Sequence, residues 1–295
     1  MMLNFREIQL SDRPLIQGNL YDAKMHGAEY SFANLLFWGD QKVYIWGEIP
    51  LFYSRFGTWQ SYLYPQCDNV REAVELLRGD AHERGIPLRL FGLLPEDAQE
   101  LRDLYPGQFK FTIARDSFDY IYEIERLTEL RGKKLQAKRN HCNRFEAVYP
   151  DYRVLPLTGE LLPRCMEFVE YWYSTHTEDD YSGERIALDK AFSNFGALGM
   201  EGIVIEAAGE IVAFSMGNRI RPDVFDVNFE KARPDINGAY PMVNREFARR
   251  IRATYPEIRF LNREDDMGIE GLRRAKESYF PDILLEKLVA QEVVK

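Results

Sequence analysis

The residues best suited to chemistry fall in four segments. The first, residues 224–231, reads VFDVNFEK, with Phe225, Val227 and Phe229 alternating against Asp226, Asn228 and Glu230. On a strand this alternation predicts one apolar face and one polar row. A carboxylate in such a row, facing a cleft, can take a proton from an amine, so Asp226 and Glu230 are candidate general bases. Lys231 beside them could handle an anionic group. The same pattern also describes an ordinary antiparallel strand with one wet face.

The second segment, residues 233–240 (RPDINGAY), is a turn entering a helix. Asn237 can cap that helix, Gly238 permits close backbone approach, and the exposed N–H groups near Tyr240 could hold a phosphate or carboxylate. A plain helix start explains it equally well. The third, residues 262–268 (NREDDMG), joins a strand to a helix. Arg263 with Glu264 could hold a substrate amine or carboxylate there, Asn262, Glu264 and Asp265 could line an acceptor site, and Asp265 or Asp266 could simply cap the helix. The fourth, residues 131–145 (RGKKLQAKRNHCNRF), holds six Lys or Arg and no acid. As a helix it puts Leu135, Cys142 and Phe145 on one face and Lys133, Gln136, Asn140, Asn143 and Arg144 on the other. Such a face suits phosphate contacts, or is a solvated surface against an acidic background.

Several chemistries are excluded. The chain has no GxSxG, P-loop, strand-linked GxGxxG or HExxH pattern, which counts against common hydrolases, kinases and dinucleotide oxidoreductases. Four scattered histidines and three cysteines without a CxxC pair offer no zinc or iron spacing. The acid pairs Asp179–Asp180 and Asp265–Asp266 lack the ligand spacing of a calcium loop, so no metal is expected.

These segments need elements to position them. The first half predicts strands at 5–10, 61–65, 88–93 and 109–124, two strands within 42–56 separated by a bend at Gly47 and Pro50, and helices at 31–38, 69–85 and 95–104. The second half predicts strands at 152–157, 203–205, 211–220, 224–231, 257–261 and 283–288. Helices are expected at 159–172, 184–198, 238–252 and 268–278. Antiparallel runs joined to βα units indicate an α+β chain, and the element order occurs twice. The length of 295 residues suits two domains. A net charge of −9 excludes a general polyanion binder, so any nucleic-acid contact must come from the basic tract. Unpaired cysteines fit a reducing compartment. The chain opens without a basic-then-apolar leader and has no run of about 18 apolar residues, so the expectation is a cytoplasmic protein without a transmembrane segment.

The tracts GKKLQAKRNHCNRF, FEKARPDINGAYPMVNREFA and FLNREDDMGIEGLRRAKESYFP resemble a bacterial family related to the C-terminal domain of phosphatidylglycerol lysyltransferases. The resemblance covers nearly the whole chain and is sharpest between Gly132 and Pro281. It implies two tandem GNAT-like domains, each a mixed, mostly antiparallel sheet flanked by helices. Residues 1–126 would be the N-terminal domain, residues 127–150 a basic linker helix, and residues 151–295 the C-terminal domain. Catalytic members of such families move an aminoacyl group from tRNA to a lipid headgroup. The resemblance therefore implies acyl transfer to an amine or hydroxyl, with aminoacyl-tRNA or acyl-CoA as co-substrate. The tRNA acceptor end and a phospholipid headgroup at the inner membrane face are the partners it suggests. Acyl-CoA-dependent N-acetyl transfer, or a binding protein that keeps the cleft without the chemistry, are the alternatives.

Carried over by position, Lys138, Arg139, Asn140 and Asn143 match the family's basic Arg-Asn tract, and Arg144 adds to its phosphate-facing side. Glu230 and Lys231 fall where lysyltransferases place an Asp-Leu-Met-Arg segment serving the active site. Asn237, Gly238 and Tyr240 stand where acetyltransferases hold the CoA pyrophosphate. The corresponding turn of the N-terminal domain, residues 64–70 (YPQCDNV), has no glycine, so that domain is expected to be non-catalytic.

Overall fold

The computed structural model describes residues 2–21, 27–176 and 181–294. The chain divides into two compact units. The first comprises Met1–Asp119, Asp265–Gly268 and Leu284–Lys295, and the second Tyr120–Glu264 and Ile269–Ile283. Each is built on one seven-stranded sheet.

The first sheet contains β1 (Arg6–Glu7), β2 (Asp40–Trp46), β3 (Ile49–Phe56), β4 (Trp59–Leu63), β5 (Arg89–Leu93), β6 (Phe109–Ile113) and the C-terminal strand β14 (Leu288–Glu292), in the order β1-β2-β3-β4-β5-β14-β6. Its helices are α1 (Arg13–Tyr21), α2 (Phe32–Phe37), α3 (Val70–Glu83) and α4 (Pro95–Leu104). In α3, Val70, Val74, Leu77 and Ala81 recur at helical spacing and are buried, which docks it on the sheet. In α4, Pro95 opens the first turn and the Asp97 carboxylate accepts the Leu94 N–H at 2.9 Å.

The second sheet runs β13-β7-β12-β11-β10-β9-β8. Its strands are β7 (Asp119–Glu123), β8 (Arg153–Pro156), β9 (Glu201–Ala207), β10 (Glu210–Arg219), β11 (Val224–Ala232), β12 (Phe260–Asn262) and β13 (Ile283–Leu285). Its helices are α5 (Ile124–Glu129), α6 (Gln136–Val148), α7 (Leu162–Ser174), α8 (Ser182–Ser193), α9 (Ala239–Thr254) and α10 (Glu270–Glu277). Among the described residues, no helix is long and apolar enough to cross a membrane.

Each sheet contains a parallel neighbour pair, β4 with β5 in the first and β11 with β12 in the second. In the second sheet that pairing ends at Asp226↔Asn262. β11 then continues to Ala232, still paired with β10. The carboxyl ends of parting parallel strands are where open sheets leave room for ligands.

The element order expected from sequence holds, with three local differences. Only Arg6–Glu7 of the strand expected at 5–10 pairs, because the chain turns into a 3-10 turn at Leu10–Asp12 and then α1. The single strand expected at 283–288 is two strands, one in each sheet. The stretch expected at 109–124 likewise splits into β6 and β7. Residues 127–150 lie in the second unit, and the predicted apolar face of α6 (Leu135, Cys142, Phe145) packs in its core with Met242, Val243 and Phe247 of α9.

Candidate functional site

The site is built where β11 outruns β12. A register shift between Met216 and Asn218 of β10 gives β11 one extra residue between Asp226 and Phe229. Phe225, Val227 and Ala232 therefore all reach the core cluster that α9 covers, although their parities differ. The uninterrupted polar row expected for Asp226, Asn228 and Glu230 is broken by this bulge.

Glu230 has polar neighbours from three parts of the second unit. Arg263, just past β12, donates from Nη2 to Glu230 Oε1 at 2.8 Å. Ser215 Oγ of β10 and Asn244 Nδ2 of α9 lie 3.5 Å from Oε2. The two ion-pair side chains are 10% and 13% exposed, so the pair is largely desolvated yet still reached by solvent. The Arg263 guanidinium lies 5.1 Å from the Tyr279 ring centroid and 5.8 Å from that of Tyr122. Burial works against its charge, and the Glu230 carboxylate more than offsets this, so Arg263 stays a cation. From α6, Lys138 places its ammonium 4.3 Å from the same Tyr279 ring. Burial, then the Arg263 charge, hold the Lys138 ammonium below the ordinary lysine range. Lys276 of α10 fixes the loop by donating to the Arg263 carbonyl at 2.5 Å, while the Tyr122 hydroxyl donates to the Lys276 carbonyl at 2.7 Å.

Lys231 takes no part in this cluster. It points to the other face of the sheet, where its ammonium pairs with Glu184 at 2.5 Å and lies 3.9 Å from the Trp172 ring centroid, with Tyr173 and Tyr181 beyond. Burial lowers its pKa against the pull of Glu184. Asp226 is fully buried and accepts from Asn228 Nδ2 at 2.9 Å, and the same amide reaches Glu264 Oε1 at 3.1 Å. Asn262 Oδ1 accepts the Glu264 N–H at 2.8 Å, which stabilises Glu264 in the left-handed region at φ 54°. Asp265 belongs to the first unit. Neither acid of that pair caps α10, which begins after Ile269; Asp266 instead accepts the Gly268 N–H at 2.9 Å and pairs with Arg115 at 3.0 Å.

A groove of about 430 Å³ opens at the start of α9, lined by Lys138, His141, Arg233, Asn237, Gly238 and Tyr240 among others. It unites three residues expected to hold a cofactor with one expected to meet phosphate. Asn237 is not the cap. Its Oδ1 engages His141 Nδ1 at 2.9 Å, and Gly238 takes the cap position at φ +89°. The close approach at Gly238 is to α6, since a Cβ there would stand 2.4 Å from the His141 carbonyl oxygen. Tyr240 shares the Trp172 indole N–H at 3.2 Å.

The predicted outer face of the basic tract is exposed: Gln136, Asn140, Asn143 and Arg144 on α6, and Lys133 in the turn ahead of it. Arg139 is committed elsewhere, donating to the Leu130 carbonyl where α5 ends in a left-handed turn. Sequence reasoning missed Tyr122, Asn244 and Tyr279. None stands in a chemistry-bearing pattern; the polar Asn244 amid the apolar face of α9 was the one readable signal.

No group of three or more His, Cys, Asp or Glu placed to hold a metal ion occurs among the described residues. Asp179–Asp180 lie outside them. In the first unit, the equivalent parting of β4 and β5 is closed by Tyr30, whose hydroxyl donates toward the carbonyls of Tyr64 (3.0 Å) and Gly92 (3.2 Å).

The family model for the phosphatidylglycerol lysyltransferase C-terminal region matches residues 22–291. A crystal structure of a conserved protein of unknown function from Bacteroides thetaiotaomicron is 35% identical, covers 99% of this chain and 100% of its own, and superposes with a TM-score of 0.93. The structure of L-PGS from Bacillus licheniformis is 16% identical over 97% of this chain and 92% of its own, TM-score 0.68. A tandem GNAT protein from the clavulanic acid biosynthesis pathway is 10% identical over 98% of each chain, TM-score 0.52. These last two likenesses show the fold, two tandem GNAT-like units. An uncharacterized curated protein of Mycoplasmoides gallisepticum is 23% identical over 187 residues, which is 61% of this chain and 58% of that relative's length.

Proposed function

The chain belongs to the phosphatidylglycerol lysyltransferase C-terminal family, and from that premise we propose that it is an acyltransferase whose reaction runs in the second unit at Glu230 and Arg263. The observation that carries this reading is the desolvated Glu230–Arg263 pair at the point where β11 and β12 part. An activated acyl donor, an aminoacyl ester of tRNA or a thioester, presents its carbonyl to Arg263. The acceptor amine or hydroxyl, such as that of a lipid headgroup, attacks the carbonyl carbon and gives up its proton to Glu230. The new C–N or C–O bond forms, the bond to the tRNA hydroxyl or the thiol breaks, and the proton passes to the leaving group. Arg263 offers hydrogen bonds to the oxygen as it gains negative charge, where a fixed donor in a dry site is most effective.

The exposed basic face of α6 suits the phosphates of the donor, and Lys138 joins that face to the pair. Modification of a lipid headgroup requires peripheral access to a membrane surface. A second reading, acyl-CoA as donor, draws on the groove at the start of α9, lined by Arg233, Lys138 and the turn at Asn237 and Gly238. Tyr30 across the parting of β4 and β5 supports a non-catalytic first unit.

Two binding experiments test the donor. Binding to tRNA through α6 is expected to weaken steeply with salt, by a slope set by the number of phosphates neutralised. A thermal-shift series with acetyl-CoA and long-chain acyl-CoAs reports the alternative, because a ligand of the native state raises the midpoint. No tRNA binding at low salt removes that donor. No response to either class leaves only a binding protein and overturns the acyl-transfer reading.

A further inference from the structure

We infer that the end of the first sheet carrying the β3–β4 hairpin docks on a lipid bilayer with anionic headgroups. Phe56 and Trp59 enter the headgroup boundary there, and Arg55 and Lys110 meet phosphates. The inference concerns the first unit and treats lipid as a surface to rest on, so it does not depend on the reaction at Glu230.

Gly57, at φ +58°, and Thr58 join β3 to β4, so the last cross-strand pair before the turn is Phe56 opposite Trp59. Residues 55–59 are all exposed. Phe56 is 46% exposed and Trp59 61%. The β2–β3 hairpin at the opposite end of the same sheet closes on a similar pair, Trp46 opposite Ile49. That pair is half-buried and packs on the core cluster of the unit. Core packing therefore accounts for one hairpin and leaves the other presenting two aromatic side chains to solvent, which marks a contact surface.

The surroundings of the tip say what it contacts. β5 runs parallel to β4 and starts at the same end, where the Arg89 guanidinium lies 4.3 Å from the Trp59 ring centroid and donates to Gln291 Oε1 at 3.1 Å. β14 ends there too, and Val293 and Val294 leave it 49% and 73% exposed. The cations stand one step inward from the apolar groups. Arg55 pairs with Gln60 behind the tip, and the exposed Lys110 pairs with Gln291 behind Val293. Aromatic and apolar side chains ahead of a row of Lys and Arg match the order of acyl boundary and phosphates in a bilayer face. Residues 54–61 contain no acid. Of the acids nearby, Asp40 is matched by Arg55 at 2.9 Å, and Glu292 by Arg78 at 3.0 Å and His82 at 2.7 Å. A chain of net charge −9 is repelled by an anionic surface as a whole, and approaches it by an end where its own acids are few and paired.

The test is co-sedimentation of the full chain with vesicles of phosphatidylcholine, alone or mixed with phosphatidylserine or with phosphatidylglycerol. Equal partitioning onto the two anionic mixtures is expected, with roughly tenfold less onto phosphatidylcholine alone. Phe56→Ser with Trp59→Ser lowers partitioning by about tenfold or more and leaves the thermal midpoint near that of wild type. Arg55→Gln with Lys110→Gln removes the preference for anionic vesicles. Should the aromatic double variant melt early, brominated lipid is read instead. It quenches Trp59 in wild type, and Trp59→Phe loses most of that quenching although Trp38, Trp46 and Trp172 remain. Undiminished binding by the aromatic double variant, or no binding to either anionic mixture, overturns the docking. Binding to only one anionic mixture overturns it too, since a headgroup is then recognised at a site and not as a surface. So does a changed oligomeric state of that variant without vesicles, which assigns the tip to a protein contact. Glu230→Gln should bind vesicles as wild type does. Absent docking with transfer intact therefore defeats this inference alone, and docking by a chain that transfers nothing defeats only the acyl-transfer reading.

Discussion

Arg263 and Glu230 meet across the point where β11 and β12 separate, with Arg263 Nη2 donating to Glu230 Oε1 at 2.8 Å. The guanidinium is held from its other sides by the Tyr122 and Tyr279 rings, and its own carbonyl by Lys276. A cation fixed on this many sides moves little when charge develops nearby, which is the requirement for electrostatic stabilisation of a transition state. Lys138, stacked on Tyr279, brings the basic helix to the same spot.

The first prediction concerns Gly238. Its φ of +89° and the 2.4 Å approach of the His141 oxygen to a hypothetical Cβ leave no room for a side chain. Gly238→Ala should cost about 2–3 kcal/mol, from left-handed strain plus displacement of α6. A thermal midpoint lowered by roughly 5–10 °C is the expected reading. A midpoint within a degree of wild type would mean that α6 is not pinned there.

Removing Lys287 probes the first unit. Its ammonium sits among buried groups, 2.5 Å from Glu29 and 2.7 Å from Asp119, and Asp119 also accepts the Ala28 N–H at 2.8 Å. Lys287→Met leaves the buried Asp119 carboxyl and the partly buried Glu29 carboxyl without their cation and should destabilise by about 3 kcal/mol at neutral pH. The loss should depend on pH in a defined direction. Burial already raises the Glu29 carboxyl above its ordinary value in spite of Lys287. A raised acid contributes its stability in full below its unfolded pKa and loses it as pH rises through the folded value. Without Lys287 that folded value rises further, so the defect should be smallest at about pH 4 and grow toward neutrality. Urea melts across that range measure it, and a pH-independent defect would contradict this account of the triad.

The basic helix separates into two kinds of residue. Lys133 and Arg144 are exposed and have no ion pair among the described residues. Replacing both with Ala should change stability by less than about 0.5 kcal/mol each. It should also reduce the slope of log K against log salt for tRNA by roughly 1–2. Arg139→Ala should do the opposite, costing about 1 kcal/mol through the lost bond to Leu130 and leaving the salt slope largely intact. An unchanged slope in the double variant would take phosphate binding away from α6.

Much of this organisation is legible in the sequence, and the misses have definite causes. The apolar periodicity of α3, α6 and α9 survives in the fold because helical burial depends on local spacing. The Pro-led start of α4 is equally local. The bulge in β11 is not, since it arises from pairing with β10 and is invisible in the alternation VFDVNFEK. That one extra residue is why Glu230 reaches Arg263 and Asn244 while Lys231, its neighbour, is caged by Trp172 and Glu184. The assignment of β14 to the first sheet also depends on long-range pairing, with Leu288 opposite both Leu93 and Ile113. The candidate site was therefore readable as residue types, through Glu230, Arg263 and Lys138, whereas its supporting aromatics, Tyr122 and Tyr279, needed the tertiary structure.

The most direct measurement is single-turnover acyl transfer by wild type and Glu230→Gln, with aminoacyl-tRNA and acyl-CoA donors and with amine and hydroxyl acceptors, normalised to folded protein. A proton acceptor in the transition state is worth about 100-fold or more in rate. Wild type should therefore transfer with at least one donor, and Glu230→Gln should be slower by that factor while remaining folded at the assay temperature. Equal rates for the two proteins would remove Glu230 from the chemistry and contradict the account.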